Sequence, residues 1–224
     1  DVNALAVQAD GKIVLGGYFY LVNGQTRYNI ARVYPDGSLD ASLGTGADNY
    51  VQATAFQPDG KILVGGYFTT LGGQTHNRIG RLNPDGSVDA SFTTNLDGAV
   101  YALAVLPDGK ILVGGTFTQV NDQERRNLVR LNPDGTLDES FTLQADDSVF
   151  TFAVQPNGKI LLGGLFSSLG TRLARLNANG TQDVSFTASA NSTVFAFALQ
   201  PDGKILVGGG FTRLGGGGAE FPGD

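Results

Sequence analysis

The stretch PDGKILVGG at residues 107–115 decides the fold, because close copies of it recur along the whole chain. Residues 58–66 and 201–209 repeat it letter for letter, and residues 156–164 and 9–17 read PNGKILLGG and ADGKIVLGG. Successive copies are spaced by 49, 49, 49 and 45 residues. A period of this length is typical of architectures that repeat one supersecondary unit.

Each unit carries four short strand patterns, which are clearest in the third unit. Its segments VYALAV, KILVGGTF, NLVRLN and TLDESF cover residues 100–105, 110–117, 127–132 and 136–141. The residues alternate and are rich in β-branched and aromatic types, and the glycines leave no helical period. Asp-Gly turns join the first strand to the second and the third to the fourth. The sequence therefore predicts an all-β propeller of four-stranded antiparallel blades.

The chain contains four full units and the first half of a fifth, which we assign to one domain at residues 1–214. The units cover about residues 1–45, 46–94, 95–143, 144–188 and 189–214. Residues 215–224 form a Gly-rich tail that departs from the repeat. We expect five or more blades in the closed ring. We also expect an open strand edge near residues 205–214, which further residues or another chain would cover.

The repeated pattern resembles a known family. Its consensus, V-x-A-L-A-V-Q-P-D-G-K-I-L-V-G-G-x-F-T followed by R-L-N-P-D-G-S-L-D-x-S-F, is similar to the delta-60 repeats, a group of bacterial β-propeller-like repeats. The likeness covers residues 1 to about 214. It implies a secreted or surface-attached bacterial protein, often with the repeats inside a larger chain, and it implies no reaction.

Charge and composition argue against several classes of partner and site. The formal net charge is −6 and the isoelectric point is near 4.7, which argues against a nucleic acid or an acidic membrane as partner. No apolar run reaches the length of a membrane span. The chain has no Cys and one His, so thiol catalysis and a Cys- or His-rich zinc site are excluded. We expect no cofactor and no metal.

Residues that hold one slot in every unit are interpreted as parts of the frame. An arginine of the third strand faces an aspartate of the fourth, which predicts a cross-strand ion pair in each blade. The pairs are Arg32 with Asp40, Arg81 with Asp89, Arg130 with Asp138, and Arg175 with Asp183. The lysine that precedes each second strand is interpreted as solvated. The double glycine that ends this strand allows a close approach of backbones or a bulge.

Topology divides the disk into two faces. Successive connections of a meander lie at alternate ends of the strands, so all Asp-Gly turns share one face, called here the hairpin face. The loops between second and third strands and the links between units share the other, called the variable-loop face because these segments differ between units. We expect a protein or glycan partner to bind there. The candidate ligand-binding residues are Tyr28, His76, Asp97, Arg125, Asp146 and Asp147.

No constellation of residues indicates catalysis. The single histidine, His76, is expected at the surface, and the first strands are rich in alanine where an enzyme centred on the channel needs acidic groups. We therefore predict a non-enzymatic, extracellular scaffold or adhesion module. One alternative is a multivalent lectin with a shallow sugar site on each blade, although the loops share few aromatic residues. Another is a structural subunit of a surface filament or sheath that docks through the open edge.

Overall fold

The computed structural model describes residues 1–215, and every unit in it forms antiparallel β-sheet. Units one and two contain β1 (Val2–Val7), β2 (Ile13–Gly17), β3 (Leu21–Val22), β4 (Gln25–Thr26), β5 (Ile30–Val33), β6 (Val51–Phe56), β7 (Ile62–Gly66), β8 (Thr70–Leu71), β9 (Gln74–Thr75) and β10 (Ile79–Leu82). Unit three contains β11 (Val100–Val105), β12 (Ile111–Gly115), β13 (Gln119–Val120), β14 (Gln123–Glu124) and β15 (Leu128–Leu131). Units four and five contain β16 (Val149–Val154), β17 (Ile160–Gly164), β18 (Leu173–Leu176), β19 (Ser189–Ala190), β20 (Val194–Leu199), β21 (Ile205–Gly209) and β22 (Leu214–Gly215).

The prediction of an all-β chain is confirmed. A 3₁₀ turn at Ala41–Leu43 is the one helical element among residues 1–215. No helix in this described part of the chain is long and apolar enough to cross a membrane. The predicted tail lies, apart from Gly215, outside the described residues.

Three strands of each of the first four units pair side by side, in the orders β1-β2-β5, β6-β7-β10, β11-β12-β15 and β16-β17-β18. In unit five β20 pairs with β21, and β21 has no second partner strand among the described residues. The predicted open edge near residues 205–214 therefore corresponds to β21. The short strands β19 and β22 pair with each other beside it.

The structure corrects the length of the predicted fourth strand. A single bridge stands in its place, between Val33 and Leu39 in unit one and at the same position in units two to four. Pairing stops because the next residue is an aspartate whose carboxylate bonds the backbone two residues on, as Asp89 does with Ser91 at 3.0 Å. Such a bond turns the chain out of the extended conformation. Each of these blades thus consists of three strands and a bridge.

The variable loops contain small β-ribbons that the sequence does not predict as strands. β3 pairs with β4, β8 with β9, and β13 with β14. The corresponding loop of unit four is four residues shorter, and no ribbon forms in it. Most of the variable-loop face is therefore ordered structure and not loose connection.

The first strands of successive units pack against one another: β1 on β6, β6 on β11, β11 on β16, and β16 on β20. Because each is the edge strand of its sheet, this packing places them innermost, and the sheets radiate from a common axis. The apolar core lies between neighbouring sheets. Leu63 belongs to one buried cluster with Val100 and Val113 of the following unit, whereas Ile62 and Val64 belong to the cluster shared with unit one.

The double glycine at the end of the second strand is required at both positions in the first four units. A Cβ on Gly65 would lie 2.5 Å from Cγ1 of Val100 in the next unit. A Cβ on Gly66 would lie 2.1 Å from the carbonyl oxygen of Tyr50 in its own unit. The first glycine therefore admits the neighbouring blade, and the second admits a β-bulge at the start of the first strand.

Gly65→Ala is expected to lower the free energy of unfolding by about 1–3 kcal/mol, because the added methyl group overpacks the contact with Val100. Gly208→Ala, at the same slot of unit five, is the matched control, since the nearest atom to its added Cβ is that of Ala196 at 3.8 Å. Urea unfolding followed by circular dichroism measures both variants. Equal losses in the two would contradict this account of blade packing.

Candidate functional site

On the hairpin face, each of the first four blades has a cluster of one aspartate, one arginine, one serine and one lysine. In unit three, Oδ2 of Asp138 accepts from Nε of Arg130 at 2.6 Å and from Nζ of Lys110 at 2.8 Å. Its Oδ1 accepts the backbone N–H and the hydroxyl of Ser140. The lysine ion pair recurs in the other three blades. This corrects the interpretation of these lysines as solvated residues.

The structure places each predicted arginine beside its predicted aspartate. The Nε to Oδ2 distances are 2.9 Å for Arg32–Asp40, 2.8 Å for Arg81–Asp89, 2.6 Å for Arg130–Asp138 and 2.7 Å for Arg175–Asp183. The arginine also reaches out of its own blade. Nη1 of Arg32 donates to the carbonyl oxygen of Pro84 at 2.7 Å, and Nη1 of Arg81 to that of Pro133 at 2.8 Å. In units one to three the arginine of the pair therefore fastens its blade to the next.

On the variable-loop face, two of the candidate aspartates clamp the loop that follows them. Oδ1 of Asp97 accepts the N–H groups of Thr118 and Gln119 at 2.8 and 2.9 Å, and Oδ2 accepts the Thr118 hydroxyl. Asp146 makes the same three bonds to the serines at the start of its loop. Burial raises the pKa of both carboxyls, but these bonds outweigh it and lower the pKa below its usual range. Both carboxylates are engaged in holding loops.

Three further candidates differ in their surroundings. Oδ1 of Asp147 accepts the N–H and hydroxyl of Ser148, and Arg125 pairs with Glu139 at 2.7 Å. Tyr28 is exposed and lines a shallow hollow between units one and two. In the described part of the chain, no three His, Cys, Asp or Glu side chains come together as a metal site.

The expectation that His76 lies at the surface is wrong. His76 is 5 % exposed, and burial lowers its pKa, an effect that Asp89 partly opposes. The reason is the glycine at position 80, where the other units carry Ala31, Val129 and Ala174. A Cβ on Gly80 would lie 2.7 Å from Cδ2 of Leu71 and 3.4 Å from the Cβ and Cγ atoms of His76, so the glycine lets Leu71 pack closely and the histidine lies against its backbone.

Every first strand contains a β-bulge that takes one residue out of the regular alternation. The register skips a single residue near the start of each strand: Asn3, Gln52, Tyr101, Phe150 and Phe195. A bulge re-aims the side chain of its extra residue. In units three to five this side chain is aromatic, and the rings contact one another in order, at 5.1 and 5.6 Å between centroids.

These three rings continue a longer line of aromatic side chains, which we call the aromatic row. Tyr18 stacks on Tyr50 at 4.3 Å between centroids, Tyr50 contacts Tyr67 at 5.9 Å, and Tyr67 contacts Tyr101 at 5.8 Å. Tyr20 packs edge-on against Tyr18 at 6.1 Å. All members lie near the start of a first strand or just after a second strand. The row therefore follows the inner side of the variable-loop face through all five units.

The aromatic row is accessible along much of its length. Four members are 37–59 % exposed: Tyr18, Tyr20, Tyr50 and Phe195. The hydroxyls of Tyr67 and Tyr101 share a hydrogen bond of 2.8 Å. Burial and this bond raise the pKa of Tyr67 to about 12, so its hydroxyl stays neutral. A contiguous exposed aromatic surface is typical of a binding site.

Sequence analysis misses the aromatic row because its members lie in and beside the strands and not in the variable loops. The available signal is the second residue of each first strand. It reads Asn, Gln, Tyr, Phe and Phe in the five units, between a Val that never changes and an Ala or Thr.

The radiating three-stranded sheets and bulged inner strands define a β-propeller repeat protein. The family model described as domain of unknown function (DUF5122) beta-propeller matches residues 8–43, 57–92, 106–141, 155–186 and 200–219. The chain belongs to this family, and the predicted propeller class is confirmed. No curated protein matches the chain by sequence.

Solved structures share the fold at low sequence identity. Virginiamycin B lyase from Staphylococcus aureus has a TM-score of 0.60 and 16% identity over 92% of this chain and 62% of that one. The WD40 beta propeller domain of Doa1 has a TM-score of 0.61 and 16% identity over 92% and 60%. PorZ, a surface component of the type-IX secretion system of Porphyromonas gingivalis, has a TM-score of 0.51 and 15% identity over 92% and 30%. The chain thus spans at most 62% of these proteins, and the likeness shows the fold alone.

Acid is expected to loosen the blades through the hairpin-face aspartates. Burial raises the pKa of Asp138, but bonds from Lys110, Ser140 and Arg130 outweigh it and hold the pKa well below its usual range. A carboxyl whose pKa is lower in the folded than in the unfolded chain stabilises the fold above the unfolded pKa of about 4, and this contribution is lost as the pH falls further. The contribution of these aspartates to the urea midpoint should stay level down to about pH 5 and then fall, on top of a smaller decline that begins near pH 6–7 because buried His76 has a lowered pKa.

The variant Asp138→Asn tests the same cluster directly. It should cost about 3 kcal/mol of unfolding free energy, because Arg130 is left buried without its full counter-charge, and its midpoint should depend less on acid. Asp108→Asn is the matched control in the same blade: its Oδ1 caps an exposed turn, a role that Asn157 fills in unit four. If Asp108→Asn lost as much unfolding free energy as Asp138→Asn, the loss could not be assigned to the hairpin-face cluster.

Proposed function

We propose that the protein is a non-enzymatic interaction module of a bacterial surface or secreted protein. The hairpin face is its frame, and the variable-loop face binds a protein or glycan partner. The observation that carries this proposal is the aromatic row on the inner side of the variable-loop face. Exposed aromatic surface of this extent is unfavourable in water unless a ligand covers it.

The acidic side chains support a binding role over a catalytic one, because they are held in hydrogen bonds and ion pairs within the protein. A general acid or base must exchange a proton near the working pH and must reach the substrate. The carboxyls of Asp97, Asp138 and Asp146 instead have lowered pKa values and bond the frame or the loops. The single histidine is buried against Gly80.

The surface location is supported by two likenesses. The narrower resemblance to delta-60 repeats implies a secreted or surface-attached bacterial protein. PorZ, which has the same fold over 92% of this chain, is a bacterial surface component. A rigid disk of repeats that carries differing loops on one face suits the display of a binding surface within a larger chain.

A structural subunit is the second candidate. It is favoured by apolar side chains exposed on the outer sides of the first and last sheets. Leu5 of unit one and Leu206 of unit five are exposed. Their equivalents in unit three, Leu103 and Leu112, pack in the clusters between blades. In a head-to-tail contact, the exposed side of the first sheet in one copy would cover the exposed side of the last sheet in another.

Exchange of a variable loop tests the proposed function. Residues 118–127 are replaced by the shorter residues 167–172 of unit four, which make the same aspartate clamp. Immobilised extracellular proteins and glycans are screened with calcium and again with a chelator. The screen should yield a ligand whose affinity falls about tenfold or more in the exchanged chain and is unchanged in Asp108→Asn.

Two other results would count against the proposal. Turnover of virginiamycin B or of a lactone by the chain would overturn the non-enzymatic assignment. The structural subunit would be favoured if the screen found no ligand and light scattering showed concentration-dependent assembly that Leu5→Lys abolishes.

A further inference from the structure

We infer that the aromatic row is a binding site for a neutral, extended glycan chain. This inference rests on the proposed function and deepens it, because it names the class of ligand that the variable-loop face takes. The site consists of the seven rings of the row together with Asn3 and Gln52, which hold the bulge slot in units one and two.

The rings form an unbroken strip from unit one to unit five. Between Tyr18 and Phe195, neighbouring centroids lie 4.3–5.9 Å apart, so adjacent rings touch and leave no slot between them. A Pro-rich peptide docks into grooves that aromatic residues line. The rings are not coplanar: the interplanar angle is 20° between Tyr18 and Tyr50 and 44–66° along the rest of the strip. A pyranose ring packs one flat C–H face on one exposed aromatic face at a time, and successive sugars can turn with the rings. The strip therefore fits a sugar chain better than such a peptide.

The charge along the strip points to a neutral ligand. The seven side chains are all Tyr or Phe, with no Lys, Arg, Asp or Glu among them, and the whole chain has a net charge of −6. Two arginines lie beside the row, Arg78 and Arg172, and each donates Nη1 to the backbone carbonyl after a second strand and is held there. Nucleic acids and acidic polysaccharides need cations that follow their backbone, and the row supplies none of its own.

Polar groups for sugar hydroxyls lie at one end of the strip. The side-chain amides of Asn3 and Gln52 make no hydrogen bond to other residues in the part of the chain that the structure describes. Each amide offers two donors and an acceptor. The strip is thus amphipathic in units one and two and apolar in units four and five, where Phe150 and Phe195 hold the same slot.

The repeated slot also predicts how affinity depends on ligand length. Each stacked sugar contributes little alone, but sugars linked in one chain bind with a high effective concentration once the first is seated. Affinity should therefore rise steeply from disaccharide to hexasaccharide within one sugar series.

The test uses the whole chain against neutral polysaccharides. Gels that contain hydroxyethyl cellulose, xylan, glucomannan or soluble starch reveal binding as retarded migration. Matching oligosaccharides are then titrated by tyrosine fluorescence. The chain has seven Tyr and no Trp, and all but Tyr28 and Tyr34 lie in the row, so tyrosine emission reports directly on the site.

Two exposed members of the row and one matched tyrosine complete the design. Tyr18→Ala and Phe195→Ala should each weaken binding about tenfold. Phe195→Ala should keep the urea midpoint, since its side chain is mostly exposed, whereas Tyr18→Ala should lower it slightly through the lost stacking on Tyr50. Tyr34→Ala, which removes an exposed tyrosine beside a turn of the hairpin face, should leave affinity unchanged.

The outcomes separate this inference from the proposed function. A ligand whose affinity falls on loop exchange but not in Tyr18→Ala or Phe195→Ala leaves the proposed function standing and overturns the glycan site. Binding of polygalacturonate or of a Pro-rich peptide, with no neutral glycan bound, overturns the ligand class. If neither a neutral glycan nor any other ligand binds in either set of measurements, both proposals are overturned.

Discussion

The buried arginine–aspartate pair of the hairpin face is the interaction on which the stacking of the blades depends. Arg130 shows these contacts. Its Nε bonds Asp138, its Nη2 bonds the Ser140 hydroxyl at 3.3 Å, and its Nη1 bonds the carbonyl oxygen of Asn179 in the next unit at 3.1 Å. The guanidinium lies 4.9 Å from the ring centroid of Phe141. A buried charge is unfavourable unless it is paired and hydrogen-bonded. The arginine is therefore fully satisfied only when the following blade is docked. Arg175 keeps its ion pair, yet its side chain is 21% exposed, against 1–6% for the other three.

Close contact between blades depends on glycines, which have no side chain at the points of contact. In units one to four the first glycine of the pair receives a valine of the next unit, as Gly65 receives Val100. The second glycine faces a backbone carbonyl of its own unit, and the first strand bulges beside it. The two residues that let the blades close therefore also create the slot from which units three to five contribute their rings to the aromatic row. The close contact between blades and the aromatic row thus have the same structural cause, which is the double glycine and the bulge beside it.

Much of the frame could be predicted from the sequence because its residues repeat. The period, three strands of each blade and the division into two faces follow from slots that are alike in every unit. The carbonyl groups that Arg32 and Arg81 bond in the next blade could not be predicted, since every residue has such a group. The burial of His76 beside Gly80 could not be predicted either, since it is a contact between two particular residues. The aromatic row depends on a bulge, which the alternation of V-x-A-L-A-V does not reveal.

The bulge slot has a consequence for how such a protein changes over time. In no unit is its occupant buried, so a substitution there leaves the packing between sheets as it was. Asn, Gln, Tyr and Phe have all been accommodated at that position within one chain. The chemistry of the proposed site is therefore open to change by one substitution per unit, with little effect on the packing between sheets. Duplication of a unit lengthens the aromatic row and enlarges the ring in the same event, so that the length of the row and the size of the disk are inherited together.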